Sequence, residues 1–388
     1  MKYFEQLVER HGTKSVKWDL KKELFGYSDV LPMWVADMDF KSPEAVITAL
    51  KERVEHGVFG YTTVTDETKK AVQNWLKTRH GWEIPTSSLD FCSGVVEAIS
   101  IAIRAFTNEG DRIVIQPPVY HPFFEMVQLN KRILVENELF LKDGQYHIDF
   151  QDLEQKLKDP ATKMLILCNP QNPSGRVWTK EELAKIGELC LKYDVFVLSD
   201  EIHSDMMLFG HKHTPFASIR EDFAEKSITA IAPSKTFNLA GLQASAVIIP
   251  NREMKKKFKE VKRQQGHFSL NTFGIAAMEA AYQHGHKWLD ELLHYLEGNV
   301  ELVENFVKDE IKSLSVIRPQ ATYLVWIDCR SLNKTEQQIK KLLLEKGRLA
   351  LEMGSKYGKA GEGFVRMNIG SPRKMVEEGL QRLKTALA

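Results

Sequence analysis

The chain has 388 residues, 43% of them hydrophobic and 27% charged, so it can bury a large core and is not disordered as a whole. Its 53 Lys and Arg residues nearly balance 52 Asp and Glu residues, which argues against a nucleic-acid binder or a polybasic membrane protein. No apolar run approaches the ~18–20 residues of a membrane span, and the charged start is unlike a signal peptide. The four cysteines lie far apart without a CxxC pair, so we expect a cytoplasmic protein without a disulfide framework or zinc ribbon.

The first clear helix signal along the chain is formed by Ser42, Pro43 and Glu44. A serine offers an N-cap hydroxyl, a proline suits the first helical position, and an early acid suits the positive helix end. The pattern therefore predicts a helix that begins at Pro43 and is capped by Ser42.

Between about residues 90 and 250, short apolar runs alternate with segments of helical periodicity. Six runs are continuously apolar, which is typical of strands covered on both faces of a mainly parallel sheet. Helical periodicity at 95–106 and 180–193 completes an α/β pattern. The six predicted strands are LDFC (89–92), RIVIQ (112–116), MLILC (164–168), VFVLS (195–199), SITAIA (227–232) and ASAVIIP (244–250).

The last hundred residues have a different pattern. An amphipathic stretch at 288–311 predicts a long helix, two strand-like segments follow it, and the Ser-Pro pair at 371–372 marks a final helix. We therefore predict a large central α/β domain over residues 45–287. A smaller α+β domain would combine residues 1–44 with residues 288–388.

Two motif-like segments carry little functional signal. Residues 354–359 superficially resemble a phosphate-binding P-loop, but three residues separate the glycines instead of four, and Ala360 replaces the required hydroxyl. The second candidate is a metal cluster that would consist of His203, Asp205, His211 and His213. An exposed loop with polar histidines explains these residues better, so we predict no metal site. Neither GxGxxG after a strand nor GxSxG occurs, which argues against a nicotinamide site and a serine hydrolase.

Residues that can carry chemistry follow five of the predicted strands, at the sheet edge where open α/β sheets bind ligands. The turn from Ser93 to Val95 leads into a helix whose first N–H groups can hold an anion. Each feature alone has a structural explanation, because Asn, Pro and Gly form loops and acids often cap helices. The other strand ends carry Tyr120, the turn at 169–175, the acidic segment 199–203, and Ser234 with Lys235.

In this order, the strand-end residues resemble those of pyridoxal 5′-phosphate (PLP) enzymes of fold type I, the aspartate aminotransferase-like fold. That resemblance covers nearly the whole chain and implies a large, mainly parallel-sheet α/β domain plus a smaller α+β domain. Within it, the chain is most similar to the cystathionine β-lyase and C–S lyase branch. The segments that carry this similarity are PMWVADMDF (32–40), GY (60–61), SDEIHSD (199–205) and SKTFNLAGL (234–242).

The resemblance implies PLP as the cofactor and assigns roles around it. Lys235 would hold the cofactor covalently and move protons at the substrate Cα, and Asp200 would pair with the ring nitrogen. Tyr120 would stack on the ring as the third catalytic residue. The remaining cofactor contacts would be Asn172 and His203 near the phenolic oxygen, and Gly94, Val95, Ser234 and Tyr61 at the phosphate.

The resemblance also implies the amino-acid substrate site and a partner. Arg366 would hold the substrate α-carboxylate through a two-pronged contact, with Trp34 and Asn172 beside the substrate. Tyr61 would reach the site from a second subunit, which implies a homodimer with a shared active site.

Two positions depart from many aminotransferases of this fold. Gln243 stands where an arginine often grips the phosphate, and Ala232 stands where a hydroxyl is common. Our first interpretation is a C–S β-lyase that cleaves L-cystathionine, or related cysteine S-conjugates, to a thiol such as homocysteine, pyruvate and ammonia. The alternative is an aminotransferase, since it needs the same lysine, aspartate and arginine. A third hypothesis is a regulatory protein that keeps the fold, but we see no room for an added DNA-binding module.

Overall fold

A seven-stranded sheet lies at the centre of the computed structural model, which describes residues 3–388. The described strands are β1 (Leu31–Pro32), β2 (Leu89–Cys92), β3 (Arg112–Ile115), β4 (Ile133–Glu136), β5 (Phe140–Lys142), β6 (Gln145–His147), β7 (Thr162–Cys168), β8 (Phe196–Asp200), β9 (Ser227–Ile231), β10 (Ser245–Ile248), β11 (Ser315–Ile317), β12 (Leu324–Asp328), β13 (Leu349–Ala350), β14 (Glu352–Met353) and β15 (Phe364–Asn368). The described α-helices are α1 (Val16–Asp19), α2 (Lys21–Phe25), α3 (Glu44–His56), α4 (Asp66–His80), α5 (Val95–Phe106), α6 (Pro122–Leu129), α7 (Phe150–Leu157), α8 (Lys180–Lys192), α9 (Glu221–Glu225), α10 (Pro233–Thr236), α11 (Arg252–Gln264), α12 (Thr272–His284), α13 (His286–Glu310), α14 (Glu336–Glu345) and α15 (Arg373–Leu387).

The central sheet has the strand order β2-β10-β9-β8-β7-β3-β4. Strands β9, β8, β7, β3 and β4 run parallel, and β10 is antiparallel to both of its neighbours. All six predicted runs form strands of this sheet, and the aspartate aminotransferase-like fold class is confirmed. The edge strand β4 was missed because its residues are largely exposed and lack the continuous apolar pattern.

A second, four-stranded antiparallel sheet has the order β11-β12-β15-β14. In its middle, β15 pairs with β12 on one side and with β14 on the other, so Arg366 lies opposite Trp326 and Glu352. The long helix α13 and the final helix α15 pack together beside β11 and α14, as the amphipathic pattern at 288–311 predicts. This sheet therefore positions Arg366 at its centre.

The predicted helix starts at the two Ser-Pro pairs are wrong by one residue. Pro43 and Pro372 have extended ψ angles of 141° and 142° and are the N-cap residues, so the helices begin one residue later. The two serine hydroxyls are engaged elsewhere. Ser42 Oγ donates to the Asn238 carbonyl at 3.4 Å, and Ser371 Oγ donates to Asp39 Oδ2 at 2.7 Å.

The largest hydrophobic cluster is shared by the central part of the chain and its ends. It joins Val46 and Trp75 to Val303 and Leu380, so apolar packing is continuous across the predicted domain division. The boundaries at residues 45 and 287 stay a prediction. Among residues 3–388, no helix has the combined length and apolarity needed to cross a bilayer.

A buried ion cluster fastens the N-terminal segment to the start of α15. Lys17 Nζ lies 2.6 Å from Asp39 Oδ2, and Arg10 Nη1 lies 2.7 Å from Asp39 Oδ1. Trp18 and Ser371 also donate hydrogen bonds to this carboxylate. Although burial alone would raise the pKa of Asp39, Lys17 and these donors hold it below its ordinary value. The cluster anchors the segment that continues into residues 34–38.

We predict that Lys17→Met destabilises the protein by about 3 kcal/mol, because it leaves the buried Asp39 carboxylate without its closest cation. The free energy of unfolding from urea denaturation measures the effect. The matched control is Lys22→Met on the exposed face of α2, which should change stability by less than about 0.5 kcal/mol. Equal stability of the two variants would contradict the role given to this cluster.

Candidate active site

A cavity of about 430 Å³ lies at the carboxyl edge of the central sheet, between that sheet and β15. It collects every predicted site residue except Tyr61. The predicted residues that line it are Trp34, Gly94, Val95, Tyr120, Asn172, Asp200, His203, Ser234, Lys235 and Arg366. Five strand ends and β15 therefore converge on one space, as expected where parallel strands end at the same edge.

Asp200 is the last residue of β8 and is buried in the wall of the cavity. Its carboxylate accepts a hydrogen bond from the Ile202 backbone N–H at 3.1 Å. Burial raises the pKa of Asp200 to about 7, and the nearby Glu201 charge acts in the same direction. This acid is therefore suited to a cationic partner inside the cavity.

Lys235 lies on the short helix α10, which follows β9 and begins at Pro233. Its Nζ donates to the Ala36 carbonyl at 2.7 Å. Burial lowers the pKa of Lys235 to about 8, and the Arg366 charge lowers it further. A lysine with this pKa has a substantial neutral fraction near neutral pH, so it can act as a nucleophile or a base.

Arg366 extends from β15 toward the cavity and is 3% exposed. Its Nη1 donates to Asn172 Oδ1 at 3.1 Å, and its Nη2 donates to the Trp34 carbonyl at 2.8 Å. Within residues 3–388, the buried Nε has no hydrogen-bond partner. These contacts hold the guanidinium in one orientation while leaving donors for a carboxylate.

The start of α5 forms a small anion-binding corner. Gly94 is the N-cap, and a Cβ added there would meet no atom within 4 Å, so a side chain would extend into free space beside the cavity. The first N–H groups of α5 have no side-chain cap. One backbone donor is already used, because Ser93 N–H donates to Glu97 Oε2 at 2.6 Å. Gln243, with a φ of 51°, also lines the cavity.

Two rings on the cavity wall are held in their neutral forms. Burial raises the pKa of Tyr120 to about 12, so its phenol keeps its proton. Burial lowers the pKa of His203 to about 3, and the Lys235 and Arg366 charges act in the same direction. Within the described chain, His203 Nδ1 is buried without a hydrogen-bond partner. Both rings can therefore offer polar atoms to a ligand without adding charge.

Tyr61 is fully exposed and lies outside this chain's own cavity. Around it, Val58, Phe59 and Phe268 are also more than half exposed. Ser269 Oγ donates to the Thr62 carbonyl at 2.7 Å, so the segments that carry these side chains are adjacent. An exposed apolar group of this kind is typical of a protein–protein contact.

The carbonyl of Ala36 is a functional feature that the sequence analysis missed. It accepts hydrogen bonds from Lys235 Nζ at 2.7 Å and from the Tyr323 hydroxyl at 3.0 Å. Asn368 Nδ2 holds the loop on both sides by donating to the carbonyls of Val35 and Asp37, each at 2.6 Å. Backbone groups carry no side-chain signal, so only the fold could identify this contact.

A buried polar network behind Lys235 was also missed. Asp205 Oδ2 accepts from the Thr236 hydroxyl at 2.7 Å, and Oδ1 accepts from Trp75 Nε1 at 2.9 Å and lies 2.8 Å from His80 Nε2. The network joins α4, α10 and the segment after β8. It therefore positions the residue next to Lys235, a role that the sequence analysis did not give to Asp205.

The prediction that His213 belongs to an exposed polar loop is wrong. Its side chain is buried, and its Nε2 lies 2.7 Å from Glu201 Oε2. Glu201 also accepts from Ser199 Oγ at 2.8 Å and from the Phe216 backbone N–H at 2.9 Å. Side chains alternate along a strand, so Glu201 faces away from the cavity that Asp200 faces. Among residues 3–388, no group of three or more His, Cys, Asp or Glu residues is arranged to hold a metal ion.

Comparison with known proteins agrees with this geometry. The family model for aminotransferase class I and II matches residues 28–383. The chain is 53% identical over 385 residues to cystathionine beta-lyase PatB of Bacillus subtilis (strain 168), covering 99% of this chain and all of that protein.

Two solved structures are similar over almost their whole length. One is cystalysin from Treponema denticola, which contains a pyridoxal 5′-phosphate cofactor; it has a TM-score of 0.96 and 39% identity, covering 99% of this chain and 98% of that one. The other is the PLP-bound C–S lyase from Staphylococcus hominis, with a TM-score of 0.93, 33% identity and the same coverage.

The cavity and the sheet that supports it therefore define a member of a large enzyme class. The chain belongs to the aminotransferase class I and II family. The resemblance to the cystathionine β-lyase and C–S lyase branch is confirmed by these relatives.

We predict that Thr236→Val makes the protein about 1–3 kcal/mol less stable than Thr236→Ser, because valine leaves the buried Asp205 carboxylate short of one donor. Serine keeps the hydroxyl and serves as the control. The free energies of unfolding of both variants, from urea denaturation, measure the difference. Equal values would show that the hydroxyl does not support this network.

Proposed function

We propose that the chain is a PLP-dependent C–S β-lyase that cleaves L-cystathionine, and related S-conjugates of cysteine, to a thiol, pyruvate and ammonia. The observation that carries the proposal is one cavity that brings together a buried acid, a lysine with a lowered pKa and a buried arginine. The full-length similarity to a protein named cystathionine beta-lyase supports the reaction type. PLP is the cofactor found in both of the similar structures described above.

The cavity fits PLP on the chemistry of its own groups. Asp200 is a buried carboxyl whose raised pKa would fall beside a protonated ring nitrogen. The open space at Gly94 and the uncapped N–H groups of α5 suit a phosphate. The unpartnered His203 Nδ1 offers a polar contact to a ring substituent. We therefore propose that Asp200, Gly94, Val95, Asn172, His203, Ser234 and Lys235 hold the cofactor, with Tyr120 packed against its ring.

When bound, PLP supplies an electron sink for the electrons left at the substrate Cα. Asp200, as a carboxylate, keeps a proton on the ring nitrogen and so makes that sink effective. Lys235 removes the Cα proton, for which a pKa near 8 is well matched to neutral pH. Arg366 binds the substrate α-carboxylate and fixes the angle at which the Cα–H bond faces Lys235.

Lys235 also completes the elimination. Having taken the Cα proton, its ammonium can protonate the sulfur as the Cβ–S bond breaks. The three-carbon product is released as aminoacrylate, which takes up water to give pyruvate and ammonia. For L-cystathionine, the thiol product is homocysteine. Apart from water, no second substrate is consumed, because the lysine and the cofactor return to their starting forms.

We also propose a homodimer in which Tyr61 completes the phosphate site of the partner subunit. The exposed apolar group around Tyr61 supports this proposal, because it lies on the surface of a single chain. The four cysteines are free, buried thiols, which suits the reducing cytoplasm.

An aminotransferase is the alternative, because it would use the same Lys235, Asp200 and Arg366 for the first proton transfer. The family model that matches this chain is the one for aminotransferase class I and II. Gln243 lines the cavity at the position where many aminotransferases have an arginine, and this difference favours the lyase.

Purified holo-protein supplied with L-cystathionine and no keto acid should turn over continuously. Pyruvate, ammonia and homocysteine should appear in equal amounts, because elimination regenerates the cofactor. Lactate dehydrogenase-coupled absorbance and a thiol assay measure the products. One turnover without thiol release, resumed only when a keto acid is added, would make the aminotransferase correct.

Lys235 should be the residue that captures PLP. Borohydride reduction of the yellow holo-protein, followed by peptide mapping, should find the label on Lys235, and Lys235→Ala should lose the visible band. Because the neutral amine is the reactive form, capture should become faster as pH rises through about 8. Lys212→Ala, an exposed lysine, is the control and should keep the band. A label on another lysine would contradict the assignment.

Arg366→Lys should raise the KM for L-cystathionine by about 10- to 100-fold and keep the visible band. Lysine retains the charge but loses the two-pronged contact, a difference of roughly 1–3 kcal/mol for a charge-assisted hydrogen bond. Steady-state kinetics and the absorption spectrum measure the two effects. An unaltered KM would mean that another group binds the α-carboxylate.

A further inference from the structure

The P-loop-like segment that carries no nucleotide signal borders the active-site cavity. Glu352, at the start of β14, and Lys356 and Tyr357, in the turn Gly354–Tyr357, line the cavity together with Trp34 and Arg366. Glu352 and Lys356 contribute two opposite charges to the cavity that the lyase mechanism above does not use.

Glu352 and Lys356 lie at the mouth of the cavity. Glu352 pairs with Arg366 across β14 and β15, so the two side chains share one face of the sheet. The side chain of Lys356 is 38% exposed and that of Glu352 is 13% exposed, whereas Arg366 is 3% exposed. The charges are therefore ordered from the buried arginine outward to the solvent.

These two charges form a pair beside an aromatic ring. Lys356 Nζ lies 3.0 Å from Glu352 Oε1 and 5.9 Å from the centroid of the Trp34 ring. Within residues 3–388, the buried Trp34 Nε1 has no hydrogen-bond partner. The mouth thus presents a cation and an anion, and the indole ring beside them carries a buried N–H donor without a partner.

The turn that carries Lys356 is rigidly held. Ser355 N–H donates to Glu336 Oε2 at 2.9 Å, and the Tyr357 carbonyl accepts from Val119 N–H at 2.9 Å. A Cβ added to Gly354 would lie 1.9 Å from the Gly361 carbonyl oxygen, so the backbone there is closely packed. A charge presented from a fixed turn loses little conformational freedom when it binds a ligand.

We propose that Glu352 and Lys356 form a subsite for a second α-amino-acid head on the substrate. This inference rests on the proposed lyase function and names the class of leaving group that the enzyme selects. L-Cystathionine has an ammonium and a carboxylate at its distal end. Glu352 binds that ammonium, and Lys356 binds that carboxylate together with Trp34 Nε1.

The subsite selects for dipolar leaving groups. When a distal amino-acid head binds, two new contacts replace the ion pair between Lys356 and Glu352. Glu352 then contacts the ammonium of the ligand and Lys356 contacts its carboxylate, so no charged group is left without a partner. S-Ethyl-L-cysteine has the same proximal head but no distal charges. It gains nothing from the pair, so its binding depends on Arg366 and the cofactor site alone.

The test compares kcat/KM for L-cystathionine and S-ethyl-L-cysteine in the wild-type holoenzyme and in Lys356→Met. The ratio of the two values should fall at least tenfold in the variant, mainly through the KM for L-cystathionine. Glu352→Gln should lower the ratio in the same direction. The matched control is Lys359→Met, an exposed lysine three residues further along and outside the cavity, which should keep the wild-type ratio.

A binding measurement separates recognition from chemistry. In Lys235→Ala protein reconstituted with PLP that is bound without the covalent bond to lysine, Lys356→Met should raise the calorimetric Kd for L-cystathionine at least tenfold and that for S-ethyl-L-cysteine much less. A ratio that stays constant, or an equal loss for both compounds, would overturn the subsite. A wild-type enzyme that releases thiol from neither compound would instead overturn the proposed lyase function.

Discussion

Burial of charge at the carboxyl edge of the central sheet is the constraint on which the rest of the structure depends. Asp200, Lys235 and Arg366 are all removed from water around one cavity, and burial shifts the pKa values of the first two toward neutrality. Burying such groups costs free energy that a folded chain recovers only through partners. The proposed cofactor and substrate are complementary partners, since they bring a ring cation and a carboxylate to these positions.

The frame around the cavity keeps these groups in place. Asp200 is fixed by β8 and Arg366 by β15, while the Thr236–Asp205 hydrogen bond holds the helix that carries Lys235. The N-terminal loop closes the space from the other side, and its Ala36 carbonyl receives the Lys235 ammonium. Strands, a helix and a loop from distant parts of the chain thus act on one site, which suits chemistry that needs fixed angles at a single carbon.

Much of this architecture could be predicted from the sequence because buried strands and amphipathic helices leave strong periodic patterns. Helix α5 has the predicted bounds, and the residues after β7, β8 and β9 meet as expected. The direction of β10 could not be predicted, since an antiparallel strand buried in a parallel sheet is as apolar as its neighbours.

Tertiary partners explain what the sequence did not reveal. Ser42 and Ser371 look like helix caps, yet their hydroxyls bind distant groups. His213 looks like a loop histidine until Glu201 is found beside it. Lys356 belongs to a segment whose glycines suggested a nucleotide loop, yet it lines the cavity directly after β14, which pairs with β15. Local composition does not encode such contacts between remote segments.

The central claim is that buried Asp200 keeps the bound cofactor's ring nitrogen protonated. Its most direct test is the ¹⁵N chemical shift of the ring nitrogen in protein reconstituted with [¹⁵N]PLP, compared between wild type and Asp200→Asn. At about pH 7.5, slightly above the raised pKa of Asp200, the account predicts the chemical shift of a protonated pyridinium nitrogen in the wild type. It predicts the chemical shift of an unprotonated pyridine nitrogen in the variant. An unprotonated nitrogen in the wild type, or a pyridinium shift that survives in Asp200→Asn, would contradict it.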